Sequence, residues 1–164
     1  MRKVFHFDAP REHYRCDAAV VWCFDNRFRL GFSKFLKRLG IDKPDSIQIA
    51  GGAKCLASPE RPADREFVID QIRKSIRLHA TGLVILMTHS DCGGYGGLSA
   101  FGNDASAEAE HHVRELSVAA RCVREQVSGV AVQAYFVDFQ GVWEIDLLGT
   151  DAEAGTALAL PSAS

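Results

Sequence analysis

Two short segments do most to constrain this chain: Cys23-Phe-Asp25-Asn-Arg27 and His89-Ser-Asp91-Cys92, each set directly after an apolar run. The runs are Ala18-Ala-Val-Val-Trp-Cys23 and Leu83-Val-Ile-Leu-Met-Thr88. Neither alternates in polarity, so each reads as a strand covered on both faces, as in a parallel sheet flanked by helices. Both sets of donor side chains therefore fall at carboxyl ends of strands, where open α/β sheets bind their ligands. Segments distant in sequence can meet there. Two thiols and one imidazole form a zinc ligand set with one tetrahedral corner left open, the arrangement of a catalytic rather than a structural site.

The cysteines fit that chemistry better than they fit disulfides. There are five (Cys16, Cys23, Cys55, Cys92 and Cys122), an odd number without framework spacing, as expected of a reducing, cytoplasmic compartment. Cys122 lies in a helical pattern and reads as a small buried hydrophobe; Cys16 and Cys55 receive the same assignment. A net charge of -2 gives no basic field for nucleic acid, and no apolar run is long enough to cross a membrane.

Between and beyond the two segments, strand and helix patterns alternate. Phe28, Phe32, Phe35, Leu36 and Leu39 form a helical stripe closed by Gly40. Asp45–Ile49 reads as a second strand, running into Ala50-Gly51-Gly52. Pro62-Ala-Asp64 opens a long helix with Phe67, Ile69, Ile72, Ile76 and Leu78 expected inward, ending near Gly82. After Gly93-Gly-Tyr-Gly-Gly97 a helix is expected from about Ala105 to Val127, with Val113, Leu116, Ala120 and Val123 on its apolar face. Val130–Asp138 and Val142–Leu148 form a hairpin. The expectation is an α/β fold: a mostly parallel β-sheet flanked by helices, with an antiparallel edge strand. Residues 1–150 make a single zinc-binding domain and 151–164 a C-terminal tail.

Alone, Cys-x-Asp-x-Arg is a weak signal and His-x-x-Cys only a suggestive one; their joint occurrence at equivalent strand ends favours a metal. Asp25 and Arg27 read either as a structural ion pair or as groups acting beside a metal thiolate. Gly51, Gly52 and Gly93 are the expected pocket glycines. His111-His112, flanked by Glu108, Glu110, Arg114 and Glu115, reads as a solvated helix face, and Arg11-Glu-His-Tyr-Arg15 as an arm or subunit contact.

The pairing of Cys23-x-Asp25-x-Arg27 with His89-Ser-Asp-Cys92-Gly93 resembles the β-class carbonic anhydrases, over most of the chain. The resemblance implies zinc held by Cys23, His89 and Cys92, with Asp25 and Arg27 catalytic. Asp25 would be either a fourth ligand in a closed form or, paired with Arg27, a hydrogen-bond partner of zinc-bound water. It further implies reversible hydration of carbon dioxide to bicarbonate by zinc-bound hydroxide, in a homodimer or higher homo-oligomer. Three departures accompany it. Gln48-Ile-Ala-Gly-Gly52 stands where members commonly carry Arg-Asn-Ala-Gly-Asn, the N-terminal arm is short, and no upstream substrate-binding glutamine is found. A less polar pocket would suit carbonyl sulfide or carbon disulfide; a zinc protein without turnover is the third alternative.

Overall fold

The fold places the two half-motifs side by side, and its strand order shows why. The computed structural model describes residues 1–147. Five strands, β1 (Ala18–Trp22), β2 (Pro44–Gln48), β3 (Leu83–His89), β4 (Ala131–Val137) and β5 (Val142–Glu144), form one sheet in the order β2-β1-β3-β4-β5. The first four are parallel, and β5 returns antiparallel along β4. From β1 the chain crosses to β2 on one side, and the next crossover lands on β3 at the other. That reversal opens a crevice between the carboxyl ends of β1 and β3, the usual ligand position in such sheets.

Helices cover both faces: α1 (Arg29–Arg38) on one, α2 (Lys54–Ala57), α3 (Pro62–His79) and α4 (Ala105–Gln126) on the other. Alternation along the strands divides the core accordingly. Val20, Trp22, Ile85, Met87 and Tyr135 pack with Phe32 and Leu36 of α1. Val21, Val84, Leu86 and Phe136 pack with Leu56, Ile69, Ile72, Leu116 and Val123 from the other three helices. Local signals set the helix ends: Pro62 stands at the start of α3, and the Asp104 carboxylate caps α4 by accepting the Ser106 and Ala107 N–H groups.

Several expectations need correction. Phe67 and Leu78 point outward, 58% and 62% exposed, because the inward face of α3 is set by Val68, Ile69, Ile72 and Ser75. That helix ends at Ala80, in a left-handed conformation, rather than near Gly82. His112 is not solvated: it is 0% exposed. The expected tail and Leu148 lie outside the described residues.

Candidate metal centre

Cys23 follows β1 directly, His89 closes β3, and Cys92 lies in the turn beyond it. Their donor atoms lie within 4.8 Å of one another, all in buried residues. The two sulfurs are 3.9 Å apart. Tetrahedral zinc with bonds of about 2.3 Å would place them roughly 3.8 Å apart, so the pair needs almost no adjustment. The imidazole is oriented in the same sense. Its Nδ1 lies 2.9 Å from the Ser90 carbonyl oxygen, which only accepts, so Nδ1 carries the proton. Nε2 is left with its lone pair, buried beside the Cys23 sulfur and without a hydrogen-bond partner of good geometry among the described residues. A buried acceptor beside two sulfurs, the three donor atoms within 4.8 Å of one another, fits a metal ligand set.

The thiols share a proton unequally. The Cys92 thiol hydrogen-bonds the Cys23 sulfur, which brings Cys23 down to about 4 and pushes Cys92 up. The backbone N–H of Gly51 donates to both sulfurs, those of Asp25 and Gly94 to one each. A thiolate cradled by amide donors is ready for a cation.

Close packing of that cradle explains its glycines. A Cβ on Gly52 would lie 2.3 Å from the Met87 carbonyl oxygen, and one on Gly94 2.7 Å from the Gly51 nitrogen. Gly52 also has a φ of +58°.

Beside the sulfurs, Asp25 and Arg27 form a closed pair. Arg27 Nη2 and Nε donate to Asp25 Oδ2 at 2.7 and 3.0 Å, and the Arg27 backbone N–H donates to Oδ1 at 2.9 Å. The guanidinium holds Asp25 down to about 2, so it is ionised at neutral pH. Its Oδ2 lies 4.0 Å from His89 Nε2, close to the three candidate donors but outside their group.

Arg27 is held from its far side by Asp91. Nη1 donates to Asp91 Oδ2 and Nη2 to the Asp91 carbonyl oxygen, both at 2.8 Å. Asp91 sits in the left-handed region at φ 52°, its N–H donating to Glu108 Oε1 at 2.7 Å. Glu108 comes from α4 and is 1% exposed. Glu108, His112 and Leu116 follow one another at four-residue intervals, which puts a carboxylate and an imidazole on an otherwise apolar helix face, a pattern visible in the sequence. His112 packs on Phe136 and edge-on to Tyr95, and burial pulls its pKa down to about 3.

A cavity of about 20 Å³ lies against the donors, walled by Trp22, Phe28, Phe32, Met87 and Val137 together with Asp25 and His89. Gly51, Gly52 and Gly93 are not among its lining residues; Gly51 and Gly52 belong to the cradle. A larger cleft of about 300 Å³ opens beyond Gly94, lined in part by Ile49, Lys54, Arg61 and Phe67, and the metal donors do not border it. Its cations are paired, Lys54 with Glu60 and Arg61 with Asp64. No helix among the described residues is long and apolar enough to cross a membrane.

The chain belongs to the family described as "Putative carbonic anhydrase", whose model matches residues 14–148. An "uncharacterized protein" of Rickettsia bellii is 23% identical over 150 residues, covering 87% of this chain and 92% of its own. Among solved structures, the fold is similar to that of β-carbonic anhydrase isoform I from Trichomonas vaginalis. That likeness has a TM-score of 0.57 at 15% identity, over 85% of this chain and 87% of the other.

Proposed function

We propose that this chain hydrates carbon dioxide reversibly to bicarbonate, using one zinc ion held by Cys23, His89 and Cys92. The observation that carries this reading is the buried Nε2 of His89, without a hydrogen-bond partner among the described residues, set against two sulfurs 3.9 Å apart with an ionised carboxylate 4.0 Å away. The metal, when bound, supplies the Lewis acidity that ionises water near neutral pH. The two thiolates offset the charge of the cation. Asp25, held ionised, only accepts hydrogen bonds, so it orients the attacking water by taking one of its protons in a hydrogen bond. With a pKa of about 2 it is too weak a base to remove that proton at neutral pH. Arg27, fixed on its other edge by Asp91, keeps the carboxylate turned from the metal. Phe28, Phe32, Met87 and Val137 suit an uncharged linear substrate and disfavour retention of a charged product.

The same apolar walls support a second reading, hydrolysis of carbonyl sulfide or carbon disulfide on the same site. A cytoplasmic location, a single zinc-binding unit over residues 1–150, and assembly as a homodimer or larger oligomer complete the proposal. The test combines elemental analysis of protein purified without added metal with stopped-flow hydration of carbon dioxide, carbonyl sulfide being run in parallel. About one zinc per chain and rapid carbon dioxide hydration are expected. Folded protein with no zinc and no affinity for it would end the proposal. Full zinc with turnover of carbonyl sulfide alone moves the assignment to the second reading, and full zinc with neither activity leaves a zinc-binding protein without turnover.

A further inference from the structure

Trp22 ends β1 and immediately precedes Cys23. Its indole lies flat on Phe32, with ring centroids 3.5 Å apart and planes 8° from parallel, and the residue is 7% exposed. Its Nε1 is buried without a hydrogen-bond partner among the described residues. Unlike His89 Nε2, this nitrogen only donates, so no cation can satisfy it. A buried N–H left unpaired loses its water and gains nothing in return, and such groups call for a specific explanation. A phenyl ring would stack on Phe32 equally well without that cost.

The surroundings point to the explanation. Trp22 lines the small cavity together with Cys23, Asp25 and His89. Asp25 could accept, but its oxygens face Arg27 and no bond joins them to the indole; most of the remaining wall is hydrocarbon. Thr88 also borders the cavity and its hydroxyl lacks a partner among the described residues. Alternation along β3, however, puts Met87 on Trp22's side of the sheet and sends the next side chain to the opposite face. A polar cavity holds a water once about 10–15 Å³ is open to it. At about 20 Å³, this one admits a water or a molecule of a few atoms.

We infer that the Trp22 indole N–H donates a hydrogen bond to an oxygen of the small molecule held in this cavity, orienting carbon dioxide and then bicarbonate beside the metal donors. The inference rests on the proposed function and adds a specificity-determining residue to it. Hydration puts negative charge on the substrate oxygens, and a bond to a charged acceptor is stronger, so the contact tightens as the reaction proceeds. Sulfur accepts poorly. The same donor therefore favours carbon dioxide over carbon disulfide, against the attraction of the apolar walls.

The chain has two tryptophans, so zinc-loaded, ¹⁵N-labelled protein shows two indole N–H signals, assigned with Trp143→Phe. Trp143 serves as an internal reference, because its Nε1 already donates to Asp138 at 2.8 Å. On titration with bicarbonate, the Trp22 signal is expected to move downfield and saturate while that of Trp143 stays in place. Trp22→Phe, checked for folding and zinc content, is expected to weaken bicarbonate binding about tenfold by calorimetry. A Trp22 signal that does not move at any bicarbonate concentration overturns the inference, since the N–H then serves a trapped water only. Unchanged affinity in folded, zinc-loaded Trp22→Phe overturns it equally. A moving signal in protein that hydrates nothing supports the hydrogen bond and defeats the proposed function. Turnover with a fixed signal defeats the hydrogen bond alone.

Discussion

The two ends of the sheet carry polar clusters of similar size, and they differ in what they leave unpaired. At the amino end, Asp45 accepts from Tyr14 at 2.8 Å, Ser75 at 2.6 Å and His79 at 2.8 Å. The Thr81 hydroxyl pairs with Ser75, while Cys16 accepts the Asp45 N–H at 3.2 Å and donates to the Ala18 carbonyl oxygen at 3.0 Å. At the carboxyl end, Trp22 Nε1 and His89 Nε2 are buried with no hydrogen-bond partner among the described residues. A saturated network ties segments of chain together: here it joins residues 14–16, the start of β2 and the end of α3. An unsaturated one carries a desolvation cost that a ligand can relieve. The distinction lies in the accounting of donors and acceptors, not in polarity.

Exchanging a cysteine at each end tests that distinction most severely. Cys92→Ser replaces a soft thiolate with a poor ligand, and loss of zinc with a lower melting temperature is expected. Cys16→Ser at the opposite end, and Cys122→Ser in α4, are expected to keep full zinc. Equal zinc content in all three, measured by elemental analysis, would remove Cys92 from the ligand set and erase the contrast.

Within the carboxyl end, the next largest effects concern rate. On the proposed mechanism, Asp25→Asn removes the charge that would orient the water, and Arg27→Ala would free Asp25 to close on the metal. Each is expected to cut carbon dioxide hydration about 10²–10⁴-fold with zinc retained. Asp91→Asn, which weakens one edge of the Arg27 clamp, is expected to cost about tenfold. Asp45→Asn is expected to leave the rate unchanged. Variants of Asp25 and Arg27 that match an active wild type would break the assigned roles, and a rate loss in Asp45→Asn would break the separation of the two ends.

How much of this was legible in the sequence varies with the kind of signal. β1 and β3 are plain, because an uninterrupted apolar run has few other uses, and the three candidate donors that the fold gathers stand at or just beyond the ends of those runs. Helix faces were less so. Phe67 and Leu78 are large and apolar, but the burial stripe of α3 runs one residue to the side, and hydrophobicity alone does not force a residue inward. His112 misled in the opposite direction: its charged neighbours suggested water, whereas its four-residue spacing from Glu108 and Leu116 puts it on the buried face. Asp91 lies within the His89–Cys92 segment, but only the fold shows that it meets Arg27, 64 residues earlier. The unpaired state of Trp22 Nε1 is a property of three-dimensional packing and leaves no trace in sequence.

The smallest expected effect belongs to the amino end and depends on acidity. Burial works against a charged Asp45, but the bonds from Ser75, His79 and Tyr14 outweigh it and hold its pKa below the usual carboxylate value. The folded state therefore binds the Asp45 proton less readily than the unfolded chain does. Stability from this group is fully present above the unfolded pKa of about 3.9, and is lost as pH falls through the lower folded value. Asp45→Asn keeps the shape but removes the charge, and is expected to destabilise the protein at pH 7 by about 1–3 kcal/mol. Chemical denaturation of wild type and variant at steps from pH 7 to pH 2.5 measures the difference. It should hold steady down to about pH 5 and shrink below pH 4, as the wild-type carboxylate takes up its proton. A difference that stays constant through that range would mean that the hub is held by shape rather than by charge. Zinc content and hydration rate at pH 7 should be the same in both proteins, because none of the bonds described for Asp45 reaches the metal donors.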